Sequence, residues 1–350
     1  MRSKVLVSAV TAVLLLNISG LALVDTRKVT AKMAQTTRLV GLLPASDAVA
    51  VFDAQRFFND ALPKVLSSNQ PMLSEVTTRI NAMQNRTGID LRKFEQVAVG
   101  IQMKQVSPTE VDFEPVALAS GDINAAALIA VAKMASKGTY REEKIGTRTV
   151  YVISPKDVIQ KSTVTPNNSK IANMMDKALN GLSNDVAVTT LDKNTLVMGS
   201  LPRVKETLEA SSRVSTELSN LLSVKETSVM SFAVKPPGGM SKLVPLEGDL
   251  LGNTLDSMQF VSGSLDVDAA GAGLHIAGRT SSPAAANELK DSLEGLAAIG
   301  KMFLGSSKRA DQKIYARMLG NAKLVVRGSD VNMDLLVPQT DIDVLLAGVR

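Results

Sequence analysis

The sequence has no cysteine and no tryptophan, a single histidine, and an aromatic content of only 3%. Without cysteine there is no disulfide framework and no residue to acylate in a lipoprotein anchor, so the fold must be held by its core alone. One histidine without cysteine also excludes zinc sites of the usual His/Cys kind. Stacking platforms for single-stranded nucleic acid or sugar are missing too, since the only tyrosines are Tyr140, Tyr151 and Tyr315. The core must come from Val, Leu, Ile, Ala and Met within a 45% apolar fraction, which no disordered class matches.

Charge of one sign is scarce as well. The formal +5 is concentrated at the start, where Arg2, Lys4, Arg27 and Lys28 face only Asp25. The sequence after Ala31 carries 35 Lys and Arg against 33 Asp and Glu, a formal +2. No clustered basic face for phosphate binding is visible, and no nucleic-acid partner is expected.

What is present at the start reads as an export signal. Arg2 and Lys4 precede an apolar run at 5–16, and small-residue cleavage candidates follow at Gly20-Leu21-Ala22 and Val29-Thr30-Ala31. The rival reading is a retained anchor, because residues 5–24 would extend about 30 Å as a helix. Asn17, Ser19 and Gly20 interrupt that run and favour a signal peptide over 1–31. The chain is therefore expected to be exported, periplasmic or extracellular, and not a lipoprotein. Membrane contact is expected only if the N-terminal segment is retained. About 320 residues remain after it, enough to bury roughly three quarters of the chain's surface.

From there, short β-branched runs alternate with Ala- and Leu-rich stretches. Strands are expected at 47–52, 96–103 and 113–120, with 104–112 as a polar connection, and helices at 55–66 and 72–83, the second ended by Thr87-Gly88. Asp122 or Asn124 can cap a helix over 125–136. Hairpins are expected at 139–153 about Gly146 and at 186–199. Between them lie a loop at 154–169 and a helix at 170–179, and a helix at 202–210 follows. The order then restarts: a strand at 227–234, a hairpin over 258–267 and 274–280, and a helix at 283–303 capped by Ser282 and opened by Pro283. A loop at 305–309, a helix at 312–319, a hairpin over 323–327 and 332–337, and a helix at 341–346 close the chain. The expectation is an α+β fold of antiparallel sheets with helices packed on one face. It is arranged as two related tandem units, 38–222 and 223–350, the second expected to fold alone.

Several phrases carry a resemblance. They are Leu43-Pro44-Ala45-Ser46-Asp47-Ala48-Val49, Arg86-Thr87-Gly88-Ile89-Asp90, Phe94-Glu95-Gln96-Val97-Ala98-Val99-Gly100, Ala119-Ser120-Gly121-Asp122, Tyr140-Arg141-Glu142-Glu143-Lys144 and Leu191-Asp192-Lys193-Asn194-Thr195-Leu196. In these the chain resembles a group of exported bacterial proteins of unknown function. The resemblance implies export and an α+β fold, and transfers no catalytic residue.

Residues with chemistry to offer are few. His275 shares strand parity with Ala277 and Arg279, opposite Leu274 and Ile276, and is expected at solvent or a sheet edge, with no nucleophile supplied by spacing. There is no G-x-S-x-G and no S-x-x-K. Gly271, Gly273 and Gly278 fall in a hairpin and its second strand, where no phosphate loop forms. Asp266, Asp268 and Gly271 match three positions of a calcium loop, but Ala270 and Ala277 stand where further ligands belong. Asp341 and Asp343 suit a helix start, and the adjacent Glu142 and Glu143 point to opposite faces of a strand. The expectation is thus no catalytic, metal or cofactor-binding residue, and a non-catalytic binding or scaffolding protein of the bacterial cell envelope whose partner is an envelope protein. A carrier of a lipid or other apolar ligand, and a hydrolase with a dispersed site, are the alternatives.

The address is directly measurable. Mass spectrometry of the mature protein is expected to find a new N-terminus near Leu23 or Lys32, and a C-terminal reporter is expected beyond the inner membrane. Recovery of intact residues 1–31 in the membrane fraction would establish the anchored form instead.

Overall fold

The computed structural model describes residues 35–107, 110–136, 139–153, 185–223, 225, 227–239 and 252–347. The expected signal segment, the loop at 154–169 and the helix at 170–179 lie outside the described residues. The chain is α+β, built on one twelve-stranded sheet in which every pairing is antiparallel.

Helix α1 (35–42) leads into strand β1 (Ala48–Asp53). Helix α2 is continuous but changes winding, from Ala54–Arg56 through a π-helical turn at Phe57–Ala61 to Leu62–Val65. Helix α3 (Gln70–Thr87) begins where the Asn69 side chain accepts the Met72 N–H, and ends at Gly88 with φ +72°. Strands β2 (Phe94–Ser107) and β3 (Glu110–Gly121) follow. Then come α4 (Ala125–Ala135), β4 (Tyr140–Ile145), β5 (Arg148–Ile153), β6 (Val186–Asp192), β7 (Thr195–Gly199), α5 (Leu201–Glu209) and α6 (Thr216–Asn220). The second stretch holds β8 (Ser228–Val234), α7 (Gly252–Asp256), β9 (Met258–Val267), β10 (Gly271–Thr280), α8 (Pro283–Gly305), α9 (Ala310–Asn321), β11 (Lys323–Arg327), β12 (Asp330–Pro338) and α10 (Gln339–Ala347).

Strand order across the sheet is β11-β12-β10-β9-β8-β1-β2-β3-β7-β6-β5-β4. Read outward from the middle, β1-β2-β3-β7-β6 and β8-β9-β10-β12-β11 follow the same path, and β5 with β4 is an addition to the first. The two stretches expected as tandem units meet inside one sheet, along the β1–β8 pairing that sets Val49 against Ala233 and Val51 against Ser231.

Strand registers sort the side chains onto two faces. One face carries Phe52, Val188, Leu196 and Val331, and along the sheet it is covered by α2, α4 and α8. On the other face Val49, Val51, Ala98, Leu118 and Val197 form the largest core cluster with Leu39 and Leu43 near α1, Val204 of α5 and Leu218 of α6. Helices therefore cover one face broadly, and a second set covers the other beneath the first stretch.

Two polar devices fix this second set. Arg203 on α5 has no exposed side-chain surface, yet donates to the Ala45 carbonyl at 2.7 Å, to Ser46 Oγ at 2.8 Å and to Glu206. Its charge is balanced where it is buried, and it pins the Leu43–Asp47 phrase to α5. Arg213 donates to the Leu42 carbonyl at 2.6 Å and holds the same corner from below.

The polar connection expected at 104–112 is instead strand. Lys104 pairs with Asp112 and Gln105 with Val111 across β2 and β3, and Lys104 Nζ lies 2.7 Å from Glu114. Beyond Ile101 and Val116 neither strand has a neighbour on its other side, so both faces of this ribbon meet water and its sequence reads polar.

The shared sheet changes what isolated fragments should do. Residues 223–350 alone would lose β1 beside β8 and the cluster that receives Ala233 and Phe260. That fragment is expected to show no cooperative thermal unfolding, whereas 35–347 unfolds as one transition; a sharp transition in the isolated fragment would show that the seam is dispensable.

Candidate functional site

The clearest site arises where the second face changes character. One row of directly paired residues runs across ten strands on this face: Lys323, Asp334, His275, Ser264, Ser231, Val51, Ala98, Leu118, Val197 and Thr189. It is polar or charged in β8–β12 and apolar from β1 through β7, ending on Thr189. The switch falls on the β1–β8 seam, and the helices α1, α5 and α6 cover the apolar side.

Side chains on the polar side are paired across strands. His275 Nδ1 lies 2.7 Å from Asp334 Oδ1, with the histidine side chain 30% exposed. Arg279 donates to Asp330 at 3.0 Å, and this hydrogen bond holds the guanidinium pKa above its ordinary value. Asp266 accepts Ser228 Oγ at 2.7 Å and meets Lys225 Nζ at 3.3 Å. Lys323 and Arg327 on the edge strand have no acidic partner among the described residues. Together Lys225, Asp266, His275, Lys323, Asp334 and Leu336 line a trough of about 580 Å³. Gly273 opens its floor, standing between Asp266 and Leu336 in the next row.

His275 is thus a half-exposed surface residue as its parity suggests, though on an interior strand rather than an edge. The nucleophile that spacing did not supply is brought by the hairpin, whose register sets Ser264 opposite His275. A tight turn about residues 269–270 pairs positions equidistant from it, and that arithmetic is the signal that could have found Ser264. Ser264, His275 and Asp334 have the residue types of a hydrolytic triad. Ser264 is fully buried, however, and its Oγ forms no hydrogen bond to His275 or any other described residue.

The other chemistry-bearing residues serve the fold. Asp268 accepts the Ala270 N–H at 2.8 Å while Asp266 faces Ser228, so the two carboxylates do not converge. Gly271 has φ +139°, and a Cβ there would lie 2.1 Å from the Val337 carbonyl oxygen. Asp341 accepts from Arg317, whereas Asp343 accepts from Ser68 at 2.7 Å and from Gln339 at 2.8 Å. Glu142 sits 3.3 Å from Lys133 on the α4 side of β4, and Glu143 belongs to the other face. Lys133 also lies 4.8 and 4.3 Å from the Tyr140 and Tyr151 ring centres, which explains two of the three tyrosines as a clamp between α4 and the β4–β5 hairpin. Hydrogen bonding to Tyr140, then to Glu142, raises the Lys133 pKa. Among the described residues no group of three acidic, His or Cys side chains is placed to hold a metal ion.

No protein-family model and no curated protein matches the sequence. Among solved structures the chain is similar to TP0453. Crystal form III has 10% identity over 89% of this chain and 98% of that one, with a TM-score of 0.41. Crystal form IV has 11% identity over 88% and 96%, with a TM-score of 0.42.

Substitutions separate the surface pair from the strained turn. His275→Ala is expected to lower unfolding stability by at most about 1 kcal/mol, the range of a solvent-accessible ion pair. Gly271→Ala is expected to cost about 2 kcal/mol or more, because it forces a side chain into a close backbone approach. Denaturant titration measures both, and reversal of that order would show His275 to be a buried structural element.

Proposed function

We propose that the chain is an exported, non-catalytic binding or scaffolding protein of the bacterial cell envelope, with the polar face of β8–β12 as its binding surface. The observation that carries this reading is the row that changes from apolar to charged at the seam: one half of the face is built to be covered by the chain's own helices, the other to meet water or a polar partner. Alternating Lys225, Asp266, Asp334 and Lys323 suit a partner surface bearing both signs of charge and select against neutral apolar cargo. The N-terminal pattern of Arg2, Lys4 and the run at 5–16 supports export.

Two experiments bear on it. A photo-crosslinking residue at Val325 or Leu336, which are exposed on the polar face, is expected to yield one discrete adduct with an envelope protein; the same residue at Met134 on α4 is expected to yield none. Native mass spectrometry of protein purified from its own envelope is expected to show no stoichiometric apolar adduct. A bound lipid that raises the melting temperature on rebinding would replace this reading with that of a carrier.

The row Ser264–His275–Asp334 is the specific observation favouring a hydrolase. A fluorophosphonate probe is expected not to label Ser264, because the hydroxyl is fully buried. Labelling of Ser264 that disappears in His275→Ala would establish the enzyme.

A further inference from the structure

Helix α8 runs 23 residues, about 35 Å, and only its first part packs on the sheet. Ala286, Leu289, Leu293 and Leu296 join Val331, Leu324 and Val326 in one cluster. Past Leu296 the helix lies against α9, so closely that a Cβ on Gly300 would sit 2.9 Å from Leu319 Cδ1. Ile299, Met302 and Phe303 are 47%, 69% and 72% exposed. Their spacing of three and four residues places them together on one side of the helix. Single apolar residues in water are ordinary, whereas three large neighbours at the end of a helical hairpin mark a contact surface.

The same end is basic. Lys301, Lys308, Arg309 and Lys313 lie in the last turns of α8, the connection and the first turn of α9, and the one acid among them is Asp311. Arg309 and Asp311 pair at 2.6 Å, which leaves Lys301, Lys308 and Lys313 without an acidic partner among the described residues. Lys301 and Lys313, with Arg317, line a cleft of about 280 Å³ between the two helices.

We propose that the end of the α8–α9 hairpin is a membrane-contact element that seats on a bilayer surface rich in anionic headgroups. Phe303 and Met302 enter the boundary between headgroups and acyl chains, and the lysines around them neutralise headgroup charge. Stable surface attachment needs both kinds of signal, and this end supplies both. A protein partner is the poorer match, because the centres of protein interfaces are depleted in lysine. Among the described residues no helix is long and apolar enough to cross a membrane, so the contact lies on the bilayer. This inference stands apart from the polar sheet face and does not depend on it.

The sequence has no tryptophan, so Phe303→Trp in the full chain gives one emission that reports this position alone. With vesicles of phosphatidylglycerol and phosphatidylcholine, the Phe303→Trp protein is expected to cosediment and its emission to shift to the blue. Binding is expected to fall at least about tenfold on pure phosphatidylcholine or at high salt, where the lysines lose their counter-charge. The double substitution Met302→Ser and Phe303→Ser is expected to weaken binding by about tenfold or more. Because both side chains are exposed, circular dichroism and the melting temperature of these variants are expected to be unchanged. Cosedimentation with the Phe303→Trp emission unmoved would place the contact elsewhere, the apolar N-terminal residues included, and overturn the proposal. Failure to bind anionic vesicles at millimolar lipid would overturn it as well.

Discussion

Everything in this architecture depends on the antiparallel pairing of β1 with β8. Each strand begins its own half of the chain, and each would be an exposed edge without the other. An unpaired edge with alternating valines is a template for wrong pairing, and joining the two edges removes both hazards at once. The pairing also continues the row Ser231–Val51–Ala98, so the core cluster of the first half reaches across to Ala233 and Phe260 of the second. The two outer edges are managed differently. β4 carries Arg141, Glu142, Glu143 and Lys144 in succession, and β11 is five residues long with Lys323 and Arg327 at its ends. Both are short and charged, which opposes edge-to-edge association.

The seam also explains why one face can be half covered. Burial of Val49, Val51, Leu118 and Val197 under α1, α5 and α6 removes apolar area from water, which stabilises by roughly 25 cal/mol per Å². On the other side of the seam the same positions are Ser231, Ser264, His275 and Asp334, which return little on burial and would require partners for every polar atom. Arg203 shows what such a requirement looks like when it is met, with two hydrogen bonds and an ion pair for one buried guanidinium. No comparable set exists above His275 and Asp334 among the described residues, and their exposure follows from their chemistry.

Much of the strand and helix order is legible in the sequence because local signals agree with it. Asn124 and Ser282 cap α4 and α8, Gly88 and Gly146 take positive φ where the chain turns, and alternation in 186–199 and 258–280 marks the hairpins. Where sequence reasoning stops short, tertiary context decides. The helix at 35–42 has no distinctive cap in its own residues and is held by packing of Leu39, Val40 and Leu43 on the core. The ribbon of β2 and β3 reads as a polar connection because it has water on both faces. Ser264 is a commonplace strand serine until the register sets it beside His275, so the candidate site becomes visible only when three strands are aligned. The shared sheet is likewise invisible to periodicity, which reports which residues alternate and is silent on which edges meet.

The two halves differ most in what fills the interval between their third strand and their returning strand. After β3, the eleven-residue helix α4 is followed by the β4–β5 hairpin, which widens the sheet and gives α4 a floor of Tyr140, Tyr151, Ile153 and Val188. After β10 there is no such hairpin, and the interval is taken by α8 and α9. Strands of five to nine residues extend roughly 17–30 Å, less than the length of α8, so its last turns pass beyond the support of β11 and β12. Apolar residues on the overhanging turns cannot reach the core, which is the position of Ile299, Met302 and Phe303. A chain without an external use for that end would gain solubility from polar residues there, and Lys301 and Lys308 show that polar residues are accommodated at adjacent positions. Retention of large apolar side chains between those lysines is therefore best explained by a surface that takes both.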